Sequence, residues 1–139
     1  MGLVVVLDAE FNKLENPDVL HCVVCRDLKD NLYAFKKDSL KDFEEFSKKV
    51  SVFIGHNIID YDIPNILSVL GVQLPLERCI DTLIVSRLVN YGIEGGHSVS
   101  AWAKRLRLPE QKIDIRDFSC YTEDILQRCI VDTGIQKEI

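Results

Sequence analysis

Four acidic residues in three separated stretches have the types and spacing to do chemistry. Asp8 and Glu10 lie in Val-Val-Leu-Asp-Ala-Glu-Phe-Asn, Asp62 lies in Gly-His-Asn-Ile-Ile-Asp-Tyr-Asp-Ile-Pro, and Asp132 ends Arg-Cys-Ile-Val-Asp. The first pair closes an apolar run, residues 3–7, that reads as a buried strand. Side chains alternate along a strand, so Asp8 and Glu10 face one side and Ala9 the other. Two carboxylates on one face at the end of a core strand repel each other and are costly to desolvate. A bound divalent cation removes both penalties, so the pair reads first as a metal site.

The elements that must position these residues can be sketched from pattern. Residues 3–8, 20–25 and 31–35 read as three strands, the last two joined by a polar turn at 26–30, which gives an antiparallel meander. Asp38 or Ser39 can cap a helix through about residue 50, with Leu40, Phe43, Phe46 and Val50 at helical spacing. Residues 51–55 form a fourth strand. The next helix is expected to begin near Pro64 and to continue an apolar face through Leu67, Leu70 and Val72. A brief strand at 79–81 leads into a helix at 82–89, and further helices are expected at about 98–106 and from about 122 onward. Residues 109–118 are polar and read as irregular. The order implies an α/β domain spanning 1–139, with a mixed sheet of about five strands flanked by helices.

Composition fits such a domain. Of the 139 residues, 47% are hydrophobic and 28% charged, as in ordinary globular proteins. No apolar run has the length of a membrane span, and the first residues lack the basic segment of a signal peptide. Cysteines at 22, 25, 79, 120 and 129 are odd in number and mostly in apolar contexts, which suggests reduced thiols and a cytoplasmic setting. Cys22 and Cys25 fall three apart on a strand, so they face opposite sides and read as core rather than as a metal pair. The net charge of −5 argues against an extended duplex clamp. Two divalent cations would bring it to about −1 and concentrate the added charge at the acidic site.

The three acidic stretches, in this order, resemble the motifs of the DEDD superfamily of 3′–5′ exonucleases, with a ribonuclease H-like fold. The likeness is to the proofreading domains of phage-type family A DNA polymerases and related phage exonucleases. Asp8 and Glu10 match the first motif. His56, Asn57, Tyr61, Asp62, Ile63 and Pro64 match the second, and Asp132 ends the third. The stretches around Asp81 and Ser86–Arg87–Leu88, and His97–Ser98 with Trp102 and Arg105, also resemble such phage sequences.

The resemblance implies hydrolysis of a phosphodiester with two Mg²⁺ or Mn²⁺ ions held by Asp8, Glu10, Asp62 and Asp132. By analogy Asp8 bridges the ions, Glu10 and Asp132 complete the nucleophile side, and Asp62 holds the other ion through water. Asn57, Phe11, Arg128 and His97 are the implied substrate contacts. The substrate implied is the 3′ end of single-stranded DNA, in replication or proofreading in a phage or its host cell's cytoplasm, with a separate DNA polymerase as a candidate partner. An RNA-trimming enzyme of the same fold is the alternative, as is a catalytically weak domain that binds a polymerase or a nucleic-acid end.

The chain departs from the pattern in its third motif. Relatives place Tyr four or His five residues before the last Asp, where this chain has Arg128 and Gln127. Arg stays protonated and cannot serve as a base, so it is expected to bind phosphate or to pair with a site carboxylate; His97 is the substitute histidine to consider. Asp132 stands seven residues from the end of the sequence, and Gly134 is expected to weaken the helix that carries it. Asp81 reads as a helix cap, Trp102 and Cys129 as core, and Lys104, Arg105 and Arg107 as candidate phosphate contacts.

Overall fold

The computed structural model describes residues 2–109 and 114–139. Five strands, β1 (Leu3–Phe11), β2 (Leu20–Asp27), β3 (Leu32–Lys36), β4 (Val50–Gly55) and β5 (Cys79–Asp81), form one sheet in the order β3-β2-β1-β4-β5. The first three strands pair antiparallel, whereas β4 joins β1, and β5 joins β4, in parallel. This is the mixed sheet expected, with each strand at its expected place. Pairing between β1 and β4 runs only from Leu3 to Val6. The second half of β1 therefore pairs with β2 alone, and a cleft opens where β4 turns away.

Alternation along β1 and β2 builds two different faces. Val5, Leu7, Ala9, Phe11, Val23 and Cys25 point into the main core, beneath α1 (Phe43–Ser47) and α2 (Ile63–Leu70). Cys22 and Val24 point the other way, against Ile125, Leu126 and Cys129 of α5 (Glu123–Glu138). The two cysteines thus sit on opposite sides of β2, both fully buried and free. Two further helices, α3 (Thr82–Val89) and α4 (Val99–Arg105), complete the second face, with Val99 and Ala103 packed on Ile135.

The helix expected up to residue 50 is shorter than its apolar spacing suggests. Residues Lys37–Asp42 form a 3₁₀ turn and only Phe43–Ser47 is α-helical. The cause is at both ends. Lys37 takes a left-handed backbone angle, φ 50°, and the Ser39 hydroxyl donates back to the Lys36 carbonyl. Val50 is already committed to β4, where it pairs with Leu3. Pro64 sits at the start of α2 as expected, and Gly71 ends that helix at φ 77°, a left-handed conformation that favours glycine. The buried face of α2 is Ile63 and Ile66, whereas Leu67 is exposed. In the region read as irregular, 109 and 114–118 carry no helix or strand, and 110–113 lie outside the described residues.

Gly134 does not interrupt α5. The helix runs unbroken through it, and the space a side chain would fill holds the Arg26 guanidinium, 3.2 Å from the position of a Cβ. Arg26 donates from there to the Ile130 carbonyl and the Thr133 hydroxyl, and pairs with Asp30 at 3.3 Å. The glycine trades helix propensity, about 1 kcal/mol, for a strand-to-helix tie.

Candidate active site

The parallel strands β1, β4 and β5 all deliver chain to one end of the sheet, where ligands of open α/β sheets collect. There a cleft of about 880 Å³ is lined by Asp8, Glu10, Asp62 and Asp132. Asn57, Phe11, Arg128 and His97 line it as well. These four carboxylates and four implied substrate contacts therefore share one cavity, although they come from four separate segments.

Each carboxylate is placed by a local device. Asp8 and Glu10 stand on the half of β1 that β4 leaves, on the face away from Ala9. Asp62 closes a single π-turn, Ile58–Asp62, that leads into α2. Such turns recur at functional sites because the extra residue rotates one side chain off the helix register. Gly55 admits the turn: a Cβ there would lie 2.8 Å from that of Ile58. Asn57 enters it at φ 64°, a left-handed angle that Asn tolerates better than most residues. Asp132 faces the cleft from the middle of α5, a helix capped by the Thr122 hydroxyl, which accepts from the Ile125 N–H.

Asp81 is the cap the sequence suggests and does more. Its carboxylate accepts from the N–H groups of Leu83 and Ile84 at the start of α3, and from those of Asn57 and Ile59 in the turn. One buried acid thus pins the second motif to β5. His56 pins it from the other side. Its Nε2 donates to the His97 carbonyl at 2.6 Å, which leaves Nδ1 to accept from the Thr82 hydroxyl at 2.8 Å.

The electrostatics are those of a site short of positive charge. Asp62 is 4% exposed and Asp132 3%. Burial, with the charges of Glu10 and Asp81 added, pushes the Asp62 carboxyl well above the usual carboxylate range. Tyr61, beside it, is also pushed up by burial and by Asp62, Glu10 and Asp8, so its hydroxyl stays protonated and donates to the Lys13 carbonyl. Arg128 pairs with Glu10 at 3.3 Å and lies over the Phe118 ring, 5.2 Å from its centre. Of the two roles open to it from sequence, this is the carboxylate pair.

The donor chemistry fits hard divalent cations, which take oxygen ligands: four carboxylates line one cleft, and one of them is disfavoured as a bare anion. Cys129 is the odd neighbour, its sulfur within 4.8 Å of ligand atoms of Asp8 and Glu10. It is fully buried and donates to the Asp8 carbonyl. Burial pushes its thiol well up, so it stays a packed, protonated core group rather than a ligand.

Other expectations sort differently. His97 lines the cleft, but its ring is engaged within the protein: Nε2 donates to the Tyr91 carbonyl, and the Ser86 hydroxyl donates to Nδ1. That geometry suits a scaffold histidine rather than a substitute base. The same Ser86 oxygen accepts from the Trp102 indole N–H, which makes Trp102 structural. Arg105 donates to the carbonyls of Glu94 and Gly96 and stacks on Trp102, so it holds a loop instead of facing the cleft. Sequence reasoning missed Gln136. It is 2% exposed and bonded to both Asp8 and the His56 N–H. The only local signal was its place one helical turn after Asp132.

No family model matches the chain. It is 29% identical to the DNA-directed DNA polymerase of Enterobacteria phage T3 over 141 residues, covering 81% of this chain and 20% of the polymerase. The chain thus spans about a fifth of the length of the curated relatives it matches. Among solved structures it superposes on Brucella melitensis NrnC bound to pGG with a TM-score of 0.73 at 14% identity, over 99% of this chain and 70% of that one. The family B DNA polymerase from Pyrobaculum calidifontis gives a TM-score of 0.71 at 13% identity, over 99% of this chain and 24% of the polymerase. At such identities the structural likeness speaks for the fold. The chain is thus related in sequence to phage DNA polymerases, and it has a ribonuclease H-like fold, as the motifs led one to expect.

Proposed function

We propose that this domain is a metal-dependent 3′–5′ exonuclease that removes nucleotides from the end of single-stranded DNA. The observation that carries the reading is the convergence of Asp8, Glu10, Asp62 and Asp132 on one cleft, with the Asp62 carboxyl held in surroundings that disfavour its charge. These four residues would hold Mg²⁺ or Mn²⁺. Two such ions supply positive charge that makes water acidic and offsets the charge of the leaving oxygen.

The chain's own groups do the rest. Tyr61, backed edge to face by the buried Phe11 ring at 5.6 Å between ring centres, gives the cleft an aromatic wall for the terminal base. Asn57 offers an amide from a fixed turn. Arg128 keeps a permanent positive charge beside Glu10, within a cleft that must accept phosphate. Arg128 takes no proton from water, and the His97 ring is engaged. With neither group free to take a proton, solvent would receive it, and we expect slower turnover than in relatives with Tyr or His in the third motif. A net charge of −5 favours a few nucleotides of one strand over a duplex. A replication or proofreading role beside a polymerase follows from the phage relatives alone.

The test is a 5′-labelled single-stranded DNA oligonucleotide, with an RNA oligonucleotide beside it, incubated with and without Mn²⁺. A ladder shortening from the 3′ end, dependent on metal and absent in Asp8→Ala, is the expected result. Cleavage of RNA alone would shift the substrate to RNA. No cleavage of either strand, with Mn²⁺ binding intact, would make this a binding domain.

A further inference from the structure

Gln136, on the helix that carries the third motif, bonds to both of the other two. It projects from α5, four residues after Asp132, and its residue is 2% exposed. Its Oε1 accepts from the His56 backbone N–H at 3.0 Å. Its Nε2 donates to Asp8 Oδ1 at 3.2 Å. The orientation of the amide is fixed by its partners. A backbone N–H can only donate, so the oxygen must face His56, and the NH₂ must then face the carboxylate. A flipped amide would set donor against donor and oxygen against oxygen.

We propose that Gln136 is a positioning residue for the metal centre. It fixes the plane of the Asp8 carboxylate and locks the 56–62 turn to α5, so that the site is assembled before a cation arrives. The inference rests on the metal-nuclease reading above. The bond to Asp8 holds that carboxylate in one rotamer. The bond to His56 keeps the segment that ends in Asp62 at a constant distance from the helix that carries Asp132. Groups that orient metal-binding carboxylates in this way typically change metal affinity by about 10–100-fold when removed.

Mn²⁺ binding by calorimetry is the direct test, on the wild type, Gln136→Met, Gln136→Asn and Thr133→Val. Met keeps the length and removes both polar groups. Asn keeps the amide and loses the reach. Thr133→Val weakens the neighbouring turn of α5, where the Thr133 hydroxyl donates to the Ile130 carbonyl and accepts from Arg26, without touching the cleft. The expected result is Mn²⁺ affinity at least about tenfold weaker in both Gln136 variants, with Thr133→Val unchanged although it melts lower. In cleavage assays the half-saturating Mn²⁺ concentration should rise in parallel. Wild-type affinity in Gln136→Met, or an equal loss in Thr133→Val, would overturn the positioning role while leaving the metal reading intact. No Mn²⁺ binding by the wild type would overturn both.

Discussion

On the face of the sheet under α1 and α2, β1 and β2 meet their neighbours through Val5, Leu7, Val23 and Cys25, with Phe43, Phe53 and Ile66 fully buried around them. Under α5 the same two strands present Asp8, Glu10 and Arg26 beside Cys22 and Val24. The helix answers with Arg128, Asp132, Thr133 and Gln136 among Ile125, Leu126 and Cys129. The first face is held by apolar burial, which has no direction. The second combines a small apolar patch with directed polar ties that span more than a hundred positions of sequence. The difference teaches how function can be housed: the α5 helix brings donors to carboxylates of β1, Arg128 to Glu10 and Gln136 to Asp8.

The sharpest way to probe the apolar face is Phe53→Ala, which empties the space of a fully buried ring. We expect a loss of about 3–5 kcal/mol in urea unfolding. On the other face, Arg26→Ala removes the ties to Ile130 and Thr133. It should cost about 2 kcal/mol by the same measurement, as expected for bonds to a charged group. Equal losses from the two variants would erase the distinction drawn here.

Asp62→Asn should act in the opposite sense. It removes a charge that burial, Glu10 and Asp81 all disfavour. The metal-free protein, unfolded in chelator, should gain about 1 kcal/mol, while cleavage and the rise of Tm with added Mn²⁺ are lost. A destabilised variant would mean that the ionised carboxylate contributes to the fold itself.

The smallest effect concerns a charge that the fold satisfies without metal. Asp27 accepts from the Asn31 side chain, the N–H groups of Asn31 and Lys29, and the Tyr33 hydroxyl. The Asn31 side-chain bond leads in holding its pKa below the usual value. Its contribution is present above the unfolded pKa of about 3.9 and is lost as pH falls through the lower folded value. Tm measured from neutral pH down to about pH 3 should therefore fall less steeply in Asp27→Asn than in the wild type. An unchanged acid limb would refute this.

The two faces also differ in how far they could be read from the chain. Alternation in 3–8 and 20–25 was enough to set Asp8 and Glu10 opposite Ala9, and to split Cys22 from Cys25. The ordered motifs, through the resemblance they carry, group the four carboxylates that line the cleft. Local signals explain the strand faces and the start of α2, since strand period and a proline at a helix start act within a few residues; the grouping of Asp62 and Asp132 with the first pair came from the resemblance alone. The π-turn before Asp62, the docking of Arg26 over Gly134 and the double bond-making of Gln136 left no such mark. Each depends on a partner from a distant segment, and a glycine or glutamine in a helix looks the same whether or not that partner comes. The short α1 was misread for a related reason: Val50 fits the helical spacing, but pairing with Leu3 claims it for the sheet.

Whether the acidic cleft is a metal centre is tested most directly by anomalous diffraction from crystals soaked in Mn²⁺. The expected result is Mn²⁺ peaks in the cleft, coordinated by Asp8 and by the carboxylates of the other two motifs, Asp62 and Asp132. A soaked crystal with Mn²⁺ bound elsewhere and none among these carboxylates would contradict it.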